Sequence, residues 1–245
     1  MKVELLDSHA ITSKLSGYWR VSILDEIAST QSELKNRNPE NWDLLVTEFQ
    51  SAGRGRLDRT FEAPKNSALL FSFYITPNRG DWGFIPLLAG AAVANSVNRL
   101  TDSKDYSCKW PNDLLANNKK IAGLLSESFG DGVVIGIGIN VSIEDESLPT
   151  PQASSIFLES KKLLDRNDLL AEVCNEFKSI FESWDAGEDL LSYYKNTSAT
   201  LNSKVKAIQP TGEVSGLAID ILPTGALLLE GEVEITVGDL IHLRD

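Results

Sequence analysis

Residues 109–141 read KWPNDLLANNKKIAGLLSESFGDGVVIGIGINV, and they decide the fold. Apolar segments of strand length recur here with little but turn chemistry between them. The spacing predicts strands near 105–110, 113–117, 120–127 and 132–141. Asn117 and Asn118 tolerate positive φ, so they read as the turn of a hairpin between the second and third strands. The last strand puts Ile135, Ile137 and Ile139 on one face and Gly136, Gly138 and Asn140 on the other. The isoleucine face packs into a core. The opposite face is bare until Asn140, so either something flat lies on it or a helix packs over the glycines.

Working outward, VSILDEI at 21–27 reads as a short strand. Thr30 and Glu33 have capping-box spacing, so a helix starts just after it. DLLVTEF at 43–49 and ALLFSFYIT at 68–76 read as strands, and residues 83–100 as a helix whose small residues allow close packing. Residues 168–184 repeat apolar side chains at Leu169, Leu170, Val173, Phe177, Ile180, Phe181 and Trp184, a helical period capped by Asn167 or Asp168. From about Leu201 short strands alternate with turn signals at Pro210, Pro223, Gly231 and Gly238, the pattern of a small antiparallel barrel. The expected organisation is a larger domain over 1–198 and a docked barrel over 199–245.

Composition excludes several classes. The chain has 245 residues, 23 Lys+Arg against 35 Asp+Glu, and a net charge of −12. That field repels a phosphate backbone, so general nucleic-acid binding is not expected. No run of 18 apolar residues exists, so no membrane span is expected. The first residues, MKVELLDSHAITSK, carry charges where a signal peptide needs an apolar stretch. Cys108 and Cys174 match no metal spacing and read as reduced thiols of a cytoplasmic protein.

Against that acidic background, QSAGRGRLDRTF at 50–61 concentrates Arg54, Arg56 and Arg59 with Gly53 and Gly55. Arginines offer planar donors to phosphate or carboxylate, and the glycines let the backbone fold round a ligand. The run closes with no Gly-Lys-Ser/Thr and opens no helix, so it is neither a Walker loop nor a dinucleotide fingerprint. A solvated surface loop suits it equally. In KWPND, Pro111 keeps Trp110 extended, and Asp113 is placed to bind Mg²⁺ or to orient a lysine. Hairpin pairing brings Lys120 near Asp113, while Lys119 can face solvent. Asn140 can read a purine edge. Together these suggest an Arg/Gly flap, an inward lysine and a carboxylate over a glycine-floored sheet.

These motifs resemble the biotin protein ligases. Residues 50–56 match that family's biotinyl-adenylate loop. KWPND, KIAG with Lys120, and GIGIN stand in its order and spacing. Ser29 and Thr30 match the start of its biotin site, and Leu243 and Arg244 its C-terminal end. Departures are Gln31 for the usual Asn, Asp58 for Gly and Phe61 for Trp. The resemblance implies an α+β fold: a mixed sheet with helices on one side, plus a small C-terminal SH3-like β-barrel. It implies an ATP-dependent enzyme that makes biotinyl-5′-AMP and passes biotin to a lysine of the carrier domain of acyl-CoA or pyruvate carboxylases. It also implies catalytic roles for Lys120, Arg54 and Arg56. Biotin would meet Ser29, Thr30, Gln31, Gln50, Arg54, Gly55, Arg56, Lys120 and Gly123. The nucleotide would meet Arg56, Arg59, Phe61, Lys109, Trp110, Asn112 and Asn140, with Mg²⁺ at Asp113. A monomer or weak homodimer without a DNA-binding domain is expected. The rivals are a lipoate-ligase-like acyl-adenylate enzyme, a non-catalytic biotin-binding protein and an Arg/Gly RNA-binding protein.

Overall fold

The computed structural model describes residues 4–57 and 59–243; Asp58 and Arg244, two of the compared positions, lie outside them. The chain runs α1 (Ser8–Thr12), β1 (Arg20–Ile27), α2 (Thr30–Asn36), β2 (Asp43–Gln50), β3 (Ala68–Ile75), α3 (Ile85–Thr101), β4 (Tyr106–Lys109), β5 (Asp113–Ala116), β6 (Lys119–Phe129) and β7 (Gly132–Asn140). It continues through α4 (Ile156–Ser160), α5 (Arg166–Asp185), α6 (Leu191–Lys195), β8 (Lys204–Gln209), β9 (Gly212–Ile221), β10 (Leu227–Leu229), β11 (Val233–Ile235) and β12 (Asp239–His242). Short 3-10 turns at Trp82–Phe84 and Asp145–Ser147 complete it.

The strands of residues 109–141 form as expected. Asn117 and Asn118 take φ of 48° and 62°, the left-handed pair that a two-residue hairpin needs. β3, β7, β6, β5 and β4 then lie side by side and antiparallel, while β1 joins β2 in parallel at the far edge. The result is a seven-stranded mixed sheet in an α+β chain.

The two sheet faces have different fates. Ile135, Ile137 and Ile139 join Phe71, Phe73, Leu44 and Val46 in the main core. Over them lie α3, whose alanines are fully buried, and α5, which presents Leu169, Leu170, Val173 and Phe177. Asp165 caps α5 through the Asn167 N–H, two residues before one sequence-read cap, Asn167, and three before the other, Asp168. On the opposite face α2 sets Leu34 against Leu45, Tyr74 and Val134. Its cap is Ser29, whose hydroxyl accepts from the Ser32 N–H, so the helix begins one residue earlier than the Thr30/Glu33 spacing implies.

The C-terminal five-stranded antiparallel sheet has the order β11-β10-β9-β8-β12, which is compatible with an SH3-like barrel. The turn after β9 seats it against the 3-10 turn before α3 and the β4–β5 turn. Gly225 has φ of +84°, and a Cβ there would stand 2.3 Å from the Gly83 carbonyl oxygen. A Cβ on Gly83 would in turn meet the Thr224 carbonyl at 2.3 Å, so two glycines let the backbones touch. Trp110 Nε1 donates to the Gly225 carbonyl at 2.9 Å, and the Trp110 N–H to Thr200 Oγ1 at 3.0 Å. Val205, Ala207, Leu227 and Leu240 of the barrel belong to the main core cluster.

Candidate active site

A cavity of 360 Å³ opens between the glycine face of the sheet, the residue 50–61 run and the edge of the barrel. That volume is of the size that holds a small cofactor-like ligand. It is lined by all the sequence-read residues except Asn140: Ser29, Thr30, Gln31, Gln50, Arg54, Gly55, Arg56, Arg59, Phe61, Lys109, Trp110, Asn112, Asp113, Lys120 and Gly123.

Its inner end is neutral and polar. β1 delivers Ser29, Thr30 and Gln31 to the first turn of α2, all buried. The Thr30 N–H and hydroxyl both donate to Gln50 Oε1, at 2.7 and 3.0 Å. Ser72 Oγ lies 2.7 Å from Thr30 Oγ1. Such preformed donors and acceptors suit an uncharged, hydrogen-bonding ring better than an anion.

The middle is positive. The register between β5 and β6 shifts after Leu114, so Leu114 faces Ala122 but Leu115 faces Lys120. The bulge turns Lys120 onto the same face as Asp113 and Gly123. Lys120 Nζ reaches Asp113 Oδ1 at 2.6 Å, and a Cβ on Gly123 would stand 3.1 Å from that Nζ. Lys119 stays exposed. The Lys120 backbone is fixed from outside the hairpin: its N–H donates to Gln152 O at 2.7 Å, and its carbonyl accepts from Ser154 N at 2.8 Å. Of the two uses read for Asp113, the lysine contact is present in this structure. Among the described residues no group of three His, Cys, Asp or Glu is placed to hold a metal ion by protein ligands alone, whereas Mg²⁺ that arrives with a nucleotide needs only one or two carboxylates beside the phosphates. Beside this pair burial lowers the pKa of Lys109, with Asp113 opposing.

Over the cavity, the Arg/Gly run is folded into a small hairpin. Phe61 N donates to Gly53 O at 3.0 Å and Gly55 N to Arg59 O at 2.7 Å. A Cβ on Gly53 would meet the Phe61 carbonyl oxygen at 2.3 Å, which explains a glycine there. The Phe61 ring lies flat on Gly138, where a Cβ would come within 2.7 Å of it. The bare sheet face thus carries an aromatic plane from the flap itself. Each arginine has a protein partner. Arg54 grips Glu127 with two bonds of 2.8 and 3.2 Å. Arg56 donates to Asn112 Oδ1 at 3.0 Å and to the Gly238 carbonyl at 3.1 Å. Arg59 pairs with Asp239. The side chains of Arg54 and Arg59 are 43% and 65% exposed, so each of these pairs contributes about 1 kcal/mol or less. A flap held that lightly can open, and a polyanionic ligand can replace the carboxylates.

Two sequence-read residues have structural duties. Trp110 is buried and its indole N–H is spent on the barrel. Asn140 lies outside the cavity, with Nδ2 donating to Ser154 O at 2.9 Å. It therefore braces the segment that fixes the Lys120 backbone. Sequence reading missed Glu127, Gly238 and Asp239. The available signal was electrostatic: three arginines in one short run need counter-charges from an acidic chain.

Comparison with known proteins decides the family. The biotin ligase of acetyl-CoA carboxylase from Mycobacterium tuberculosis is 32% identical over 258 residues, covering 98% of this chain and 96% of that protein. The chain belongs to the biotin protein ligase family. The Biotin/lipoate A/B protein ligase family matches residues 24–143, which span β1 through β7 apart from its first strand residues. The bifunctional ligase/repressor BirA of Escherichia coli is 32% identical and is matched over 79% of its length by 99% of this chain. The biotin protein ligase of Aquifex aeolicus, solved in complex with biotin and ATP, superposes with a TM-score of 0.83 at 27% identity. It covers 92% of this chain and all of that one. For a biotin protein ligase, a cavity with a neutral polar end and a cationic middle under an arginine flap is the expected chemistry.

Proposed function

We propose that this chain activates biotin with ATP and transfers it to a lysine of a biotin carboxyl carrier domain in the cytoplasm. The observation that carries the reading is the Lys120 ammonium, held by Asp113 in a cavity whose other end is neutral and hydrogen-bonding.

In the first step a biotin carboxylate oxygen attacks the α-phosphorus of ATP, and the bond to the β-phosphate bridging oxygen breaks. Both reactants are anions, so fixed cations at the reacting centre lower the barrier most. Lys120 is placed to neutralise the carboxylate and the α-phosphoryl oxygens, with Asp113 as its positioning residue. Arg54 and Arg56 close over the product, while Lys109 and Arg59 face the nucleotide end. Mg²⁺ comes with the triphosphate as its counter-ion. Biotinyl-5′-AMP is a mixed anhydride, and the folded hairpin keeps water from it. In the second step a neutral carrier amine attacks the acyl carbon, AMP leaves and the amine proton is released.

Burial of Ser29, Thr30 and Gln31 at the inner end favours biotin over lipoate, whose dithiolane ring offers no N–H. ATP–pyrophosphate exchange tests the reading. Exchange that depends on biotin and stays at background with lipoate is expected. Exchange driven by lipoate instead would overturn it.

A further inference from the structure

A shut flap creates a problem of access. It shields the mixed anhydride from water, yet an amine of another protein must reach the acyl carbon. A second cavity, of 300 Å³, lies round the edge of the sheet from the first. In β6, Leu124 stands opposite Ile137 and Ser126 opposite Ile135, so both face the isoleucine side, where α3 packs. Leu125 stands opposite Gly136 and faces the glycine floor. β5 pairs with β6 only as far as Gly123, so the sheet has an edge beyond that residue. The two cavities meet round this edge: Arg56, Asn112, Leu124 and Leu125 line both. The 3.0 Å bond from Arg56 to Asn112 Oδ1 stands at the junction.

The second cavity suits an amine better than a phosphate. Leu87, Trp110, Leu124 and Ala226 give it buried apolar walls. Among the described residues Arg56 is the one charged side chain that lines it. A departing pyrophosphate would need several cations along its way, whereas the aliphatic stem of a lysine needs apolar wall. The attacking amine must also be neutral. Apolar walls disfavour an ammonium ion by desolvation, and Arg56 disfavours it by like charge. The first turn of α3, at Pro86 and Leu87, brings the positive end of a helix to the same space. All three act in one direction.

We propose that this second cavity is the channel for the acceptor amine: a lysine side chain of the carrier enters along it, rounds the edge of β6 and reaches the acyl carbon while the flap stays shut. The proposal rests on the biotin reading above and adds the route of the second substrate. Arg56 must leave Asn112 to grip the adenylate phosphate, so the passage opens once there is an adenylate to attack. The amine nitrogen then bonds to the acyl carbon, the C–O bond to AMP breaks with its electron pair going to AMP, and the amine proton passes to water.

The test plugs the channel reversibly and reads the two half-reactions apart. Ser126→Cys puts a thiol on the channel wall, and benzyl methanethiosulfonate caps it; Cys108 and Cys174 are buried and react slowly. Thr236→Cys, on the barrel side of the same cavity, serves if Ser126→Cys folds poorly. Labelled and unlabelled forms of one variant are compared, and dithiothreitol removes the label. Biotin-dependent pyrophosphate exchange should change by less than about 2-fold on labelling. Single-turnover transfer from preformed biotinyl-5′-AMP should fall on the order of tenfold or more, both to the carrier domain and to n-butylamine, and recover with dithiothreitol. Transfer that survives the label would overturn the proposal. So would a loss confined to the carrier, because the label would then block protein docking rather than the path of the amine. Loss of exchange together with transfer would show that the two cavities are not separate and would also overturn it. An unlabelled chain without biotin-dependent exchange would instead overturn the biotin reading itself.

Discussion

Gly138→Ala is the substitution whose effect can be worked most directly from the structure. The new Cβ would lie 2.7, 2.7 and 2.9 Å from three carbons of the Phe61 ring. Carbon contacts settle near 3.5–4.0 Å, so the ring must retreat by about 1 Å. It belongs to the flap, whereas Gly138 lies in β7, paired on both sides and held at ordinary strand geometry. The flap therefore yields and the sheet does not. Full burial of a Phe side chain is worth roughly 1.5–3 kcal/mol, so losing the seat of this half-buried ring removes about 1 kcal/mol from the closed flap. That shifts the closed-to-open ratio about fivefold. Trypsin reads it through cleavage after Arg54, Arg56 and Arg59, at a rate set by the open population when reclosing is fast. Cleavage should rise about fivefold with Tm changed by only a few degrees, and biotin with Mg-ATP should restore protection. Gly53→Ala is the contrast: its Cβ meets backbone, the Phe61 carbonyl oxygen at 2.3 Å, and should break the hairpin outright. Unchanged cleavage in Gly138→Ala would refute the seating of Phe61 on the glycine floor.

Three further outcomes are expected. Lys120→Ala should fold normally and lose on the order of a hundredfold or more in pyrophosphate exchange, while Lys119→Ala changes little; the reverse order would contradict the facing of β6. Arg56→Gly removes the bonds to Asn112 and Gly238, so the adenylate should escape and biotin should appear on an unrelated bystander protein, measured by streptavidin blot. Burial pushes the Glu127 carboxyl up, but bonds from Lys35 and Arg54 more than offset it and hold the pKa below its ordinary value. A depressed carboxylate stabilises the fold above its unfolded pKa and loses that effect as pH falls through its folded value. Hydrogen exchange of residues 53–61, corrected for intrinsic rate, should therefore accelerate below the ordinary carboxylate range and stay flat from there to neutrality.

Local chemistry made much of the fold legible. The Asn117 and Asn118 turn and the alternation of Ile and Gly in β7 fixed two strands, their facing and the bare floor, because strand side chains alternate strictly. Helix starts were displaced by one to three residues, since Ser29 and Asp165 cap as well as their neighbours do and packing chooses among them. The β5–β6 bulge that aims Lys120 left no trace in the residue pattern. The flap's partners were illegible for a different reason. Glu127 lies 73 residues from Arg54, and Asp239 lies 180 residues from Arg59, so only the tertiary fold joins them. Asn140 carries a bond that the sequence did not show: its Nδ2 donates to the Ser154 carbonyl, a tertiary partner 14 residues away.

The most direct test of the account is mass spectrometry of a carboxylase carrier domain after incubation with this protein, biotin and Mg-ATP. One lysine should gain the mass of a single biotinyl group, with the gain abolished by omitting ATP and nearly lost with Lys120→Ala. A carrier that stays unmodified while a known biotin protein ligase modifies it under the same conditions would contradict the account.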